Sequence, residues 1–238
     1  MALPKLNDVP YYSITIPSTG QETRYRPYLV KEEKVLLIAL ESSDIKQIAA
    51  ATTDLIKSCV ETDINLDKLT TFDIEYLFIN IRSKAVGESI KVNFMCSKCD
   101  TENEVTVNLD KIAVPISKEM DRMINLTDDV RVEMQHLSYK ESTNNSIIST
   151  PETYAEYMFE TVLRSMYKIY TEEEQFIVED ENDESVIEFI NSLTSEQFSK
   201  LREFVDSAPQ VSSDVNFTCT ECSEFNEYTL RGLNDFFG

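Results

Sequence analysis

Apolar positions along this chain change their period several times, and each change marks an element. Residues 10–30 hold two β-rich runs, Tyr11 to Ile16 and Arg24 to Val30, on either side of a Pro17-Ser18-Thr19-Gly20-Gln21 turn, which predicts a hairpin. Residues 31–41 follow as a short helix, charged over Lys31-Glu32-Glu33-Lys34 and apolar from Val35 to Leu40. Between 44 and 60, Ile45, Ile48, Ala49, Leu55, Ile56, Cys59 and Val60 recur at helical spacing, so Cys59 falls on a buried stripe as a core thiol. A third helix, 71–86, is capped by Thr70 with Asp73 three residues on and stopped by Gly87. Because it is apolar around most of its circumference (Phe72, Ile74, Tyr76, Leu77, Phe78, Ile79, Ile81), it is expected at the centre of the core.

Farther along, Val130–Met134 reads as a strand and Ser138–Ser149 as a polar loop. Residues 151–170 read as a helix with Pro151 in its first turn and Tyr154, Met158, Val162, Met166 and Ile169 down one face. Phe176–Val178 is a short strand between acidic runs. Helices near 184–193 and 195–207 are separated by Thr194, whose capping-box partner is Gln197, and Pro209 ends the second. Helices dominate and strands fall at both ends and in the middle, so the class is α+β: a helix-rich single domain over 1–238 with short β-hairpins.

Two segments repeat each other. Val92-Asn93-Phe94-Met95-Cys96-Ser97-Lys98-Cys99 is matched by Val215-Asn216-Phe217-Thr218-Cys219-Thr220-Glu221-Cys222, and the match runs on without a gap to Asn103, Glu104 and Thr106 against Asn226, Glu227 and Thr229. Each copy is a strand, a Cys-x-x-Cys turn and a second strand, giving knuckle hairpins at 89–109 and 213–231. Cys96, Cys99, Cys219 and Cys222 together form the ligand set of a zinc-ribbon-like site holding one structural Zn2+. The alternatives are two separate redox pairs or four idle thiols. Thioredoxin-type chemistry wants a helix N-terminus after the motif to lower the thiol pKa, and strands are expected on both sides here. A catalytic zinc keeps one position open for water, which four thiolates close.

Composition narrows the function classes further. With 22 Lys and Arg against 43 Asp and Glu, the formal charge of −21 disfavours nucleic acid and anionic membrane and favours basic partners. No apolar run is long enough to span a bilayer, no signal peptide is evident, and paired cysteines suit a reducing cytosol. His136 is the sole histidine and has no recognisable nucleophile beside it, so no catalytic triad can be proposed and no enzyme is expected. Few glycines leave no phosphate cradle, and no small-molecule substrate is implied. The acidic run 172–184 lacks the alternating ligands and glycine of a calcium loop and reads as a solvated loop or a docking strip for a basic partner. Arg24, Arg26 and Tyr28 form a basic-aromatic patch of interface composition. Phe236 and Phe237 either pack back on their own core or anchor in a partner's pocket.

The run Ile16-Pro17-Ser18-Thr19-Gly20, continuing through Tyr25-Arg26-Pro27-Tyr28-Leu29-Val30-Lys31-Glu32-Glu33-Lys34 to Ser42, closely resembles the baseplate hub protein family of T4-like tailed phages. Thr71–Phe78, Arg82–Ser89, Tyr170–Glu174 and Gly232–Gly238 resemble it as well, in the right order and over most of the chain. The resemblance implies a non-enzymatic viral protein required for assembly of the tail baseplate hub. It would act as an assembly factor in the host cytoplasm, or as a stable subunit of the hub in the virion, with hub or tape-measure proteins as partners. The strong acidity favours the assembly role. A zinc-ribbon accessory protein of an unrelated pathway is the reading from outside this class. The cysteine quartet is no part of the resemblance, so the zinc rests on this sequence alone and is expected to be structural.

Overall fold

The computed structural model describes residues 9–42, 44–61, 64–115, 122–143 and 153–237, apart from the side chains of Ile45, Asn234 and Phe237. The chain is mixed α/β, with helices and small antiparallel sheets, and it divides into two compact units: residues 1–116 with 209–238, and residues 117–208.

The first unit opens with the expected hairpin, β1 (Tyr12–Thr15) paired with β2 (Glu22–Tyr25). Its turn is tied to the interior: Asp73, fully buried, accepts hydrogen bonds from the Ser18 N–H (2.9 Å) and hydroxyl (2.5 Å). The same carboxylate accepts from the Thr70 N–H (3.0 Å) and hydroxyl (2.6 Å) and so completes the capping box of α3 (Thr71–Val86). Helix α1 (Val30–Ser42) and helix α2 (Ile45–Cys59) pack as neighbours, and α2 packs on α3. Helix α3 is the central one, burying Phe72, Ile74, Leu77, Phe78, Ile79 and Ile81. Gly87 ends it at φ 147°, a conformation that favours glycine.

Two further hairpins complete this unit: β3 (Ser89–Met95) with β4 (Glu102–Asn108), and the later pair β9 (Ser212–Thr218) with β10 (Phe225–Arg231). Alternation along the strands turns Phe94, Val107, Val215 and Leu230 into one core with Ile79, Leu109, Ile112 and Val211. The C-terminal residues form a short helix, α8 (Gly232–Phe237), which packs on α3. Gly232 is left-handed at φ 64° and donates to the Val211 carbonyl at 2.9 Å, turning the chain off β10 into that helix.

The second unit is built on a four-stranded sheet in the order β5 (Met123–Asn125), β6 (Arg131–Met134), β7 (Met166–Tyr170), β8 (Gln175–Ile177). Helices α5 (Tyr154–Ser165), α6 (Asp183–Ser192) and α7 (Ser195–Asp206) supply Val162, Leu163, Val186, Ile190, Leu201 and Phe204 to its core. Thr194 and Gln197 form the expected capping box. Two sequence expectations change here. The helix expected over 151–170 ends at Ser165, because Met166–Tyr170 pairs with β6 and β8, and a β-rich Tyr-Lys-Ile-Tyr run gains more in that ladder than in another helical turn. Its first turn is set by Thr153 and Glu156, while Pro151 lies outside the described residues. The loop expected over Ser138–Ser149 begins with α4 (Tyr139–Thr143), whose start Glu141 caps by accepting from the Ser138 N–H (2.9 Å) and hydroxyl (2.7 Å); 144–149 lie outside the described residues. His136 stacks on Phe204 at 4.8 Å between ring centroids, a packing role. The acidic segment 172–184 is exposed throughout most of its length.

Candidate metal centre

The two knuckle hairpins bring their turns together. Cys96 Sγ lies 3.6 Å from Cys222 Sγ, Cys99 Sγ lies 3.6 Å from Cys219 Sγ, and all four sulfurs fall within 4.8 Å of one another. A tetrahedron with metal–sulfur bonds of about 2.3 Å has edges of about 3.8 Å, so the cluster fits a single ion with little adjustment. Every cysteine is a free thiol, and 3.6 Å is far beyond a disulfide bond. Among the described residues this is the one group of three or more His, Cys, Asp or Glu side chains placed to hold a metal.

The local backbone prepares each knuckle for negative charge. In the first, Cys96 donates its N–H to the Thr101 carbonyl (2.9 Å) and accepts from the Asp100 N–H at its own carbonyl (3.0 Å). The second repeats this with Cys219 and the Glu224 carbonyl (2.8 Å) and the Ser223 N–H (3.1 Å). Asp100 (φ 54°) and Ser223 (φ 59°) occupy equivalent left-handed positions, where the turn reverses into the second strand. Amide N–H groups of Lys98 and Cys99 hold the Cys96 thiol below its ordinary value. Those of Cys222 and Glu221 pull Cys219 down to about 6. Cys222 receives the Glu224 N–H, but the neighbouring Cys99 sulfur, burial, Cys96 and Cys219 outweigh it and push it up to about 12. Crowded sulfurs of this kind cannot all ionise without a cation between them.

A pair of buried asparagines fastens one knuckle to the other. Asn226, from β10, accepts from the Ser97 N–H (3.0 Å) and hydroxyl (2.9 Å) in the first knuckle and points its amide at Cys96 Sγ, 3.7 Å away. Asn103, from β4, does the reciprocal: it accepts from the Thr220 N–H (3.0 Å) and hydroxyl (3.1 Å) and directs its amide at Cys219 Sγ, also 3.7 Å away. Lys98 adds an ion pair to Glu224 across the hairpins at 2.7 Å. Below the sulfurs, Phe94, Phe217 and Tyr228 form a ring cluster with centroid separations of 5.0 to 5.9 Å, and the Tyr228 hydroxyl donates to the Met95 carbonyl. The cysteines are legible in the sequence, whereas Asn103 and Asn226 carry no expected role there. Their position as matched residues in the gap-free repeat was the available signal.

The proposed contact residues sit apart from this cluster. Arg24 is exposed, ion-paired to Glu61 at 3.1 Å and set over the Tyr11 ring at 5.3 Å. Arg26 is largely enclosed, donating to Glu32 (3.0 Å), the Ser58 carbonyl (2.8 Å) and the Pro27 carbonyl (2.9 Å). Tyr28 is half-buried, and burial raises its hydroxyl pKa, with Glu33 adding and Arg82 opposing. Cys59 beside Arg26 is 1% exposed, and burial pushes its thiol up to about 11. Phe236 is buried in the core with Ile79, Val211 and Leu230, while the side chain of Phe237 lies outside the described residues.

Taken together, the fold and the cluster define a helix-rich mixed α/β protein with a four-cysteine site, able to hold a metal ion, between two matching hairpins. The chain belongs to the family of the T4 bacteriophage base plate protein, whose family model matches residues 9–238. Its role is therefore that of a phage baseplate protein. No curated protein and no solved structure matches the chain. No helix among the described residues is long and apolar enough to cross a membrane.

Proposed function

We propose that this protein is an assembly factor for the central hub of the phage tail baseplate, working in the host cytoplasm through protein–protein contacts and without catalysis. The family match over residues 9–238 carries the reading, and the formal charge of −21 supports the choice of assembly factor, because a strongly acidic surface suits reversible masking of a basic partner. Hub or tape-measure proteins are the expected partners. In the same reading the four cysteines hold one structural zinc per chain: the donor set is all thiolate, closed to water and supported by amide donors, which suits a staple and not a reaction centre. Cys96 and Cys99 would be joined through the ion to Cys219 and Cys222, fixing the second hairpin and the α8 helix that follows it.

Quantitative protein identification on purified virions and on hub intermediates isolated from infected cells separates assembly from residence. An assembly factor is expected in the intermediates and at less than a tenth of hub stoichiometry in virions. Stoichiometric retention would instead make the protein a stable structural subunit of the hub, the second reading that the same family membership supports.

A further inference from the structure

The sulfurs of the cysteine cluster meet across the two hairpins. Cys96 Sγ approaches Cys222 Sγ to 3.6 Å, Cys99 Sγ approaches Cys219 Sγ to 3.6 Å, and each approach joins one hairpin to the other. A disulfide needs about 2.0 Å, so each sulfur has about 0.8 Å to cover, within reach of a small side-chain rotation. The hairpins are held at this spacing by groups that need no metal. Asn226 accepts from the Ser97 N–H and hydroxyl, Asn103 accepts from the Thr220 N–H and hydroxyl, and Lys98 pairs with Glu224 at 2.7 Å. Access to the sulfurs is uneven: Cys96 and Cys219 are buried, Cys222 is partly covered and Cys99 is exposed. Solvent therefore reaches the cluster at Cys99.

We propose that Cys99 with Cys219, and Cys96 with Cys222, are sites of disulfide formation by peroxide, so that two covalent bridges join the hairpins when the metal is lost. This rests on the zinc reading above and adds what the same four residues do under oxidation. A phage protein is made in a reducing cytosol and meets an oxidising medium once the host lyses, in either baseplate role. The Cys99 thiolate attacks hydrogen peroxide; the O–O bond breaks, the sulfur becomes a sulfenic acid, and the departing hydroxide takes a proton to become water. The Cys219 thiolate, 3.6 Å away, then attacks that sulfur; the S–S bond forms, the S–O bond breaks, and a second hydroxide leaves and is protonated. Cys96 and Cys222 repeat the sequence with a second peroxide. In sum, four thiolates, two hydrogen peroxides and four protons give two disulfides and four waters, four electrons pass from sulfur to oxygen, and the ion is released without change of charge. Topology favours these bridges over bridges within a knuckle. The paired residues are 120 and 126 positions apart, whereas a Cys-x-x-Cys bridge spans three, and closing the longer loop removes more of the unfolded chain's freedom.

Disulfide mapping by mass spectrometry tests this on the purified full-length protein before and after hydrogen peroxide. Free thiols are blocked with N-ethylmaleimide, and zinc release is followed with a chromophoric chelator in the same samples. Peptides linked through Cys99–Cys219 and Cys96–Cys222 are expected within single chains, reversed by dithiothreitol, and at least tenfold above links of Cys96 to Cys99 and Cys219 to Cys222. Predominant links within a knuckle overturn the proposal, as do links between chains, sulfinic or sulfonic acid at Cys99 without bridges, or thiols that stay reduced. In chelator, the oxidised protein is expected to melt about 5 °C or more above the reduced, metal-free protein. Equal melting would show that the bridges do not hold the hairpins, and would also sink the idea. The zinc reading fails separately: bridges that form in protein carrying no zinc refute that reading and leave the disulfide sites standing, whereas one equivalent of zinc without bridges does the reverse.

Discussion

At the scale of single residues, polar groups under cover determine how this molecule is held. Asn103 and Asn226 each connect a strand of one hairpin to the knuckle of the other, with the carbonyl oxygen accepting from the backbone and the amide facing sulfur. Removing either by Asn103→Ala or Asn226→Ala is expected to weaken metal affinity about 10- to 100-fold, measured by competition with a chromophoric chelator; Asn226→Asp, which places a carboxylate against a thiolate, should do worse. Glu32 is the second such group. Burial pushes its carboxyl up, but the Leu29 N–H, Arg26 and Lys31 outweigh that and hold it below its ordinary value of 4.5. A carboxyl whose pKa is depressed by folding contributes stability that is complete above its unfolded value and lost as pH falls through the folded one. Removing one partner of this buried pair by Glu32→Gln is expected to cost about 3–5 kcal/mol near neutral pH, with Arg26 left underpaired. The gap from the native protein should narrow as pH drops below about 4.5, checked by thermal melts of both proteins across pH 3 to 7.

At the scale of elements, the paired hairpins and the α3 cap carry the next consequences. Binding of a structural zinc contributes on the order of 10 kcal/mol to folding, so Cys96→Ser or Cys219→Ser should abolish stoichiometric metal and lower the melting temperature sharply. Elemental analysis of protein purified without chelator is expected to return one equivalent of zinc; under a tenth of an equivalent, with melting unchanged in chelator, would refute a structural ion. The α3 cap depends on Asp73, which accepts from Ser18 and Thr70 together. Asp73→Ala removes the buried acceptor that Ser18 and Thr70 share, leaves their donors to water, and is expected to cost about 1.5–3 kcal/mol, the worth of hydrogen bonds to a charged group, read from chemical denaturation, whereas an exposed helical change such as Glu196→Ala should stay near 0.5 kcal/mol. Helices with strong end signals were legible because a cap is a local interaction: Thr70 with Asp73 and Thr194 with Gln197 mark their starts in sequence and in space. Met166–Tyr170 reads as helix in sequence because its apolar residues satisfy both periods, and the strands that decide between them, β6 and β8, lie elsewhere in the chain.

At the scale of the whole molecule, the chain leaves the first unit and returns to it at one place. Ala113 and Ser212 form an antiparallel bridge, with N–H to carbonyl distances of 3.0 and 3.4 Å, so the two stretches of the first unit that flank the inserted residues in sequence lie side by side. That explains the long separation between the knuckles, since an inserted unit with a core of its own lies between them. Replacing 117–208 by a short Gly-Ser linker is expected to leave a folded first unit that still binds one zinc, measured by metal content and a cooperative melt; loss of both would show that the first unit needs the second.

The sequence by itself determined what depends on local spacing and on chemistry carried in the side chains. The helix starts, the Cys-x-x-Cys turns and their thiolate set, the acidic charge and the family motifs are all properties of neighbouring residues or of the sum of them. Only the tertiary structure decided what depends on who faces whom. It closed four sulfurs to within 4.8 Å across more than a hundred residues, crossed Asn103 with Asn226, turned Phe236 inward, and left Val35, Leu37, Ile38 and Leu40 uncovered. An apolar residue reads the same in sequence whether its own chain buries it or leaves it exposed, because burial is a relation between surfaces and not a property of the residue.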